Sequence, residues 1–470
     1  MARVTDVLAK VQADKARWIA LQYVDVPGFL HQVTVSASQV DAAAFSDGVA
    51  KLDGSSARGF QAPEDSDMVL VPDADSYSAI PWEQGTWRFL CDVRSPLEGP
   101  RYPKNPRYIS QRAEDAVKAA GFARVHVGAE LKYSLLDQVV TTPGQPERAQ
   151  GFSVESREAA WNSLGTNFPI EFGKGRSVPA PQDMTGTIRS QACEVLEDAF
   201  SIPVHSHQHG ASTAGQADIA LGPLPLAKAA DATLTAKYAI RNMAAVGGLL
   251  ATFLPYPIYG ENGNSLHAHL SAWKGENNMF YDEGDKQAEL SNTGRYFVGG
   301  LLLPARALCS FACPTNNSYK RLLADANAPA WTGWGKGNRT ALIRVPVGRL
   351  GNAAFKHAEF RASDPSANPH LLYAALAAAG LDGIKTKADP GDPIPDDIRR
   401  LDDKKRKEYG VKPLCTTLGE ALAELQSDDK FLRNIFTSDI LDAHIELKSL
   451  EEQENAKRPA PYEFQTYLQI

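Results

Sequence analysis

Apolar positions in the first hundred or so residues recur in short runs divided by turn residues: Ile19-Ala20-Leu21-Gln22-Tyr23-Val24, Val33-Thr34-Val35, Met68-Val69-Leu70-Val71 ahead of Pro72-Asp73, and Arg88-Phe89-Leu90-Cys91-Asp92-Val93. Runs of this length predict strands, so residues 1–105 read as a small sheet-rich domain. The N-terminus, Met1 to Leu21, reads as a charged amphipathic helix. From 106 to 470 strands mix with long helices. The clearest are Ala227 to Gly247, with Leu234, Tyr238 and Ala245 at helical spacing, and Leu371 to Ile384 after Pro369. The fold class is therefore α+β. After Lys387 the chain is charged, with the run Asp402-Asp403-Lys404-Lys405-Arg406-Lys407-Glu408, and predicts a solvated helical appendage.

Composition narrows the functional classes. A chain of 470 residues with 43% hydrophobic and 22% charged residues folds into large cores. Length alone suggests about three domains, and the lack of a Ser/Gly-rich or Pro-rich linker reduces this to two. A net charge of −7 argues against a general binder of phosphate backbones, so nucleic acid is not an expected partner. The longest uncharged apolar stretch, around Met243 to Pro255, is shorter than the roughly 20 residues a spanning helix needs, so no membrane is expected. The N-terminus lacks the apolar core of a secretory signal, which predicts a cytoplasmic protein. Five cysteines, an odd number without CxxC spacing, predict reduced thiols.

Polar residues at period two in a strand share one face. Four segments place chemistry that way: Glu130 and Lys132 in Val127–Tyr133; His205, His207 and His209 in Val204–His209; His267 and His269 in Ser265–Ser271; and His357, Glu359 and Arg361 in His357–Arg361. Inward histidines and carboxylates on several strands are what a divalent-metal site requires. Tyr259-Gly260-Glu261-Asn262-Gly263-Asn264 suits either a close approach of backbone to ligand or a simple turn. Gly335-Lys336-Gly337-Asn338-Arg339, with Arg344 and Arg321, supplies guanidinium forks for phosphate or carboxylate, or a solvated loop. Neither a P-loop motif nor a GxGxxG element is present.

Several motifs in series carry a resemblance to a known family. They are Leu52-Asp53-Gly54-Ser55-Ser56, Ser66-Asp67-Met68-Val69-Leu70-Val71-Pro72-Asp73 and Ser212-Thr213-Ala214-Gly215-Gln216. Glu261-Asn262-Gly263-Asn264-Ser265-Leu266-His267-Ala268-His269, Asn317-Ser318-Tyr319-Lys320-Arg321-Leu322, Asn338-Arg339 and Ser363-Asp364-Pro365-Ser366-Ala367-Asn368-Pro369 follow in order. Almost the whole chain resembles the type I glutamine synthetases. The resemblance implies a β-grasp-like N-terminal domain over 1–105 and a catalytic domain over 106–470, with a funnel-shaped site on an antiparallel sheet. It also implies self-association into two stacked hexameric rings, a dodecamer in which the Asp53 loop completes a neighbour's site. That family makes an amide from glutamate and ammonia through an acyl phosphate formed from ATP, with two or more Mg²⁺ or Mn²⁺ ions.

Carried over by position, Glu130, His267 and Glu359 match the ligands of the phosphate-side metal. Arg321, Arg339, Arg344 and Arg361 match the arginines that grip the carboxylate and the phosphates. Asn262 and Gly263 match the substrate loop, Asp53 the carboxylate that helps deprotonate ammonium, and His269, Ser271 and Lys356 the nucleotide side. Departures accompany these matches. Lys132, Gly210 and Asp218 stand where the second metal normally has three glutamates. Asn327 replaces the flap glutamate, His205 a nucleotide-side glutamate, Ala354 and His357 a lysine and an arginine, and Arg176 an aromatic residue near the ammonium pocket. Leu401 stands at the modification tyrosine of regulated bacterial enzymes.

A glutamate-to-lysine change shifts the local charge by two units, worth several kcal/mol at about 4 Å and an effective dielectric of roughly 20. Lys132 is thus expected to act as a tethered cation in place of the second ion, with one divalent ion per site. Lys132 and Arg176 are expected to favour an anionic group, and Gly210 to leave room for a bulky one. Three functions compete: an ATP-dependent ligase joining a larger amine or another acid, as relatives acting on methylamine, polyamines or anilines do; a mononuclear metalloenzyme without ATP, with His205, His207 or His209 as added ligands; and a catalytically silent structural relative.

Overall fold

The computed structural model describes residues 3–49, 51–96, 101–141, 148, 151–162, 168–349 and 351–470. Near the N-terminus, helix α1 (Val4–Ala13) buries Val7 and Val11 and ends well before Leu21. Met1 lies outside the described residues. The chain passes into β1 (Trp18–Val24) instead, because Ile19, Ala20 and Leu21 are fully buried in a central strand covered on both faces. With β2 (Leu30–Ser36), β3 (Lys51–Asp53), β4 (Asp67–Pro72) and β5 (Thr86–Arg94) it forms a sheet in the order β2-β1-β5-β4-β3, in which β1 and β5 run parallel.

Helix α2 (Pro106–Ala119) begins on an Asn105 cap with proline at its first position, a favoured start signal. It carries Arg107, whose guanidinium is hydrogen-bonded to Asp73, to Asp92 at 3.0 Å and to Asp231 at 3.0 Å. One buried cation thereby ties the first sheet to α3 (Leu226–Val246).

The large sheet is built on β6 (Arg124–Leu136). Around it lie β7 (Val204–His209), β8 (Gln216–Leu221), β9 (Leu266–Lys274), β10 (Trp334–Lys336), β11 (Ile343–Val345) and β12 (Ala358–Phe360), in the order β7-β8-β6-β9-β12-β11-β10. Along this path the pairs are antiparallel, as expected, except the edge pair β10 with β11, which is parallel. Helix α4 (Asn316–Ala324) carries Arg321 to the sheet.

Helix α5 (Pro369–Thr386) starts at Asn368, whose side chain caps His370 N and also donates to the carbonyls of Asp25 and Val26. Its residues Leu371 to Ala379 are buried on every side, as a helix apolar all round must be. The segment after Lys387 departs from a solvated appendage. Leu418, Ala421, Leu422 and Leu425 of α6 (Leu418–Ser427) form an apolar stripe that joins the main core, as does Ile440 of α7 (Ser438–Ala456). Its charged run and its last residues lie against solvent.

Candidate active site

Strand register assembles the site. His267 on β9 lies directly across from Glu130 on β6, His269 across from Glu359 on β12, and Arg344 on β11 across from the same Glu359. Paired residues of neighbouring strands share a face, so four strands deliver one cluster. Nδ1 of His267 stands 3.4 Å from Glu130 Oε2 and 3.3 Å from Glu359 Oε1, is buried and makes no hydrogen bond. Burial holds the His267 imidazole down at about 4, so it is neutral at pH 7 and offers a lone pair. Burial pushes Glu130 up, but His267 and Lys132 outweigh it and hold the carboxyl well below the usual range. Glu359 is held low in the same way, by His267 and Arg361 against burial.

Beside this cluster Lys132 faces Asp218 across β6 and β8. Its Nζ is 3.1 Å from Glu130 Oε1 and 3.8 Å from Asp218 Oδ2, so one ammonium stands between two carboxylates. Asp218 is buried, accepts from Gln208 Nε2 at 3.3 Å, and keeps Oδ1 without a hydrogen bond. Burial raises its carboxyl despite Lys132.

The cluster opens on a cavity of about 290 Å³. Lys132, Arg176, Arg321, Arg339, Arg344 and Arg361 line it, against the carboxylates of Glu130, Asp325 and Glu359. Arg344 and Arg361 each donate Nη1 to Glu359, at 2.7 Å and 2.7 Å. Arg321 is buried, donates to the carbonyls of Ala362 and Ser363, and leaves Nε without a partner. Arg176 and Arg339 are exposed at the cavity. Opposite them, Asp325 accepts from Asn262 Nδ2 at 2.9 Å and from Gly263 N at 3.0 Å. Gly263 is required there, since a Cβ would sit 2.5 Å from Pro255 O and 2.6 Å from Arg321 Cγ. Asn327 also reaches the cavity, and its backbone N–H donates to Asp325.

Two family models match, one described as the glutamine synthetase β-grasp domain over residues 15–96 and one as the glutamine synthetase catalytic domain over residues 103–467. The chain belongs to the glutamine synthetase family. The glutamine synthetase of Sulfolobus acidocaldarius is 38% identical over 464 residues, covering 98% of each chain. That of Escherichia coli K12 is 35% identical over 474 residues, covering 99% of each. Among solved structures, a Plasmodium falciparum glutamine synthetase superposes with a TM-score of 0.88 at 25% identity over 99% of both chains. A GmaS/ADP complex superposes with a TM-score of 0.82 at 25% identity, over 99% of this chain and 100% of that one. The protein is a glutamine synthetase-family ligase, and the family uses ATP and divalent metals.

The donor set fits such an ion. Two ionised carboxylates and a neutral imidazole with an orphaned nitrogen suit a hard divalent cation, and the three ligand atoms lie within 4.8 Å of one another. When bound, a divalent ion there would neutralise phosphate oxygens.

Other expected site residues fall elsewhere. A Cβ at Gly210 would meet Gln216 Cγ and Oε1 at 2.5 Å, so the space is filled and offers no room for a bulky substrate. Gln216 Oε1 accepts from Ala211 N and Ser212 N, while Nε2 donates to Gly263 O and Asn264 Oδ1, bracing the substrate loop. The three alternating histidines form no ligand set. Register pairs Gln208 with Asp218, so His207 and His209 occupy the opposite face, while His205 sits at an irregularity in the pairing. His207 accepts from Arg189, His209 pairs with Glu158 at 3.2 Å, and His205 is exposed. Lys356 turns away from the cavity, with its buried amine on Ala288 O and Glu289. Ser271 lies farther along β9 and accepts from Trp273 Nε1.

His357 Nδ1 donates to Phe355 O, which leaves its Nε2 to accept from His269 Nδ1 at 3.0 Å. The other ring nitrogen of His269, Nε2, lies 3.8 Å from Glu130 Oε2. Asp53 is exposed, accepts from Ser55 N and Oγ, and does not line this cavity. Leu401 is buried with Ile394 and Ile398. Sequence reasoning quoted Gln216 within a motif without a role and passed over Asp325 entirely. A lone acid two residues before Asn327, in an alanine-rich turn, was the available signal.

Proposed function

We propose that this chain is an ATP-dependent carboxylate–amine ligase with one divalent ion, Mg²⁺ or Mn²⁺, in which the ammonium of Lys132 takes the place of the second ion. The observation that carries this reading is the position of Lys132 Nζ between Glu130 and Asp218. A metal there would meet a tethered like charge. Glu130, His267 and Glu359 hold the ion. Arg339 and Arg344, with His269 beside them, face the transferred phosphoryl group, and Arg321 and Arg361 face the acid.

Six cations against three carboxylates leave the cavity positive, which supports an anionic acid substrate. Part of the Lys132 charge is spent on its two carboxylates, so Arg176 and Arg339, exposed at the cavity, supply the free positive field. Ordinary glutamine synthesis is not the proposed reaction, because Lys132 occupies the region that would receive a substrate ammonium and Asn327 cannot accept a proton.

The Asp53 loop, exposed and away from its own chain's cavity, completes the site of a neighbour within hexameric rings stacked as a dodecamer. The test is ADP release from ATP across a panel of acids and amines. Release that needs both an acid and an amine other than glutamate and ammonia supports the reading, and full activity with glutamate and ammonia alone contradicts it.

A further inference from the structure

A second cavity, of about 720 Å³, lies between the β1–β2 hairpin, α3 and residues 250–255. Its size falls within the range of small-molecule sites. Phe29, Leu234, Leu250, Phe253 and Leu254 give it apolar walls. Most of its charged groups are already paired. Arg58 and Lys448 both hold Glu451, at 2.6 Å and 2.9 Å, and His31 holds Asp25 at 3.0 Å.

Lys237 and Arg241 differ. Lys237 is 7% exposed, and among the described residues no hydrogen bond or ion pair reaches its amine. Its Nζ lies 5.7 Å from the Phe253 ring centre, and the Arg241 guanidinium 4.9 Å from the same ring. Asp364 acts on the lysine from a distance without a hydrogen bond or ion pair to it; Ser366 N and Oγ engage its Oδ1, while Oδ2 has no hydrogen-bond partner. Burial, reinforced by Arg241, pushes the Lys237 amine down to about 7. A buried, unpaired ammonium is costly unless something compensates it.

We propose that this cavity is a second ligand site for a small aromatic or branched carboxylate, with the carboxylate on Lys237 and Arg241 and the apolar body against Phe253, Leu250 and Leu254. One wall of the site, residues 250–255, is hydrogen-bonded to the chain beside the substrate loop. Leu254 O and Pro255 O accept from Asn264 Nδ2 at 2.9 Å and from Asn264 N at 2.7 Å, next to the Gly263 loop. Occupancy therefore bears on the segment that positions the substrate loop.

Calorimetric titration of the full-length protein with benzoate, and with benzamide as its neutral counterpart, tests the site. Benzoate is expected to bind saturably below about 10 mM and benzamide at least about tenfold more weakly. Lys237→Met should weaken benzoate by about tenfold or more while raising Tm, because it removes an uncompensated charge and keeps the packing. Arg339→Gln, in the active cavity, should leave the benzoate affinity within about twofold. Absence of benzoate binding, equal binding by benzamide, unchanged binding in Lys237→Met, or loss of binding in Arg339→Gln would each overturn the proposal.

Discussion

Lys132 Nζ and Glu130 Oε1 are 3.1 Å apart, and Asp218 Oδ2 lies 3.8 Å from the same ammonium. Glu130 is also one of the three ion ligands, so a single carboxylate links the candidate metal to the tethered cation. Replacing Lys132 by methionine would leave Glu130 and buried Asp218 facing each other without a counter-charge. Breaking a buried pair in this way costs on the order of 3 kcal/mol. A drop of that size in denaturant unfolding is expected for Lys132→Met, and an unchanged midpoint would mean that the pair contributes nothing.

Asp325 acts on the substrate loop through Asn262 and Gly263. Asp325→Ala removes three hydrogen bonds to its carboxylate, two of them from the substrate loop and one from Asn327 N, each worth about 1.5–3 kcal/mol. The expected result is a KM for the acid substrate raised by about tenfold or more, with the KM for ATP little changed. Equal effects on both would place the residue in general stability instead.

Gly210 cannot take a side chain without moving Gln216. Gly210→Ala is expected to cost about 1–3 kcal/mol by overpacking and to lower kcat through the displaced loop brace. A neutral Gly210→Ala would show that the neighbouring glutamine relaxes freely.

Mixed oligomers test where Asp53 works. If its carboxylate serves a neighbour's cavity, Asp53→Ala and Glu359→Ala should each be inactive alone, and their co-assembled mixture should recover activity. No recovery after verified mixing would confine each site to one chain.

Acid stability should follow His444. Its imidazole is buried on Phe311 with Nε2 donating to Ser310 O, and burial, with Lys448 nearby, pushes it down to about 3. The unfolded chain binds a proton below about 6.5 while the folded one does not until about 3, so this contribution is complete above 6.5 and is lost as pH falls toward 3. The slope from this group is about 1.4 kcal/mol per pH unit. His444→Gln should flatten the dependence between pH 6 and pH 4.5 by about that amount, as read by urea unfolding.

Period-two alternation puts Glu130, His267 and Glu359 among a wider set of candidates, and the family resemblance singles out these three; antiparallel pairing then brings their strands together. The same rule misled at His205, His207 and His209. Alternation does not show which face they occupy; pairing of Gln208 with Asp218 decides it for His207 and His209, and His205 sits at an irregularity in the pairing. Lys356 was misplaced because the amine of a lysine reaches far from its backbone, here to Glu289. The tail after Lys387 read as solvated from its charges, while the stripe Leu418, Ala421, Leu422 and Leu425 that buries it has only helical spacing as a signal. Asp325 and Gln216 act through contacts distant in sequence, which no local pattern reveals.

Counting bound manganese per subunit by elemental analysis, in the parent chain and in Lys132→Glu, tests the central claim most directly. One ion per subunit in the parent, rising toward two in the variant, is the expected result. Two ions per subunit in the parent protein would contradict it.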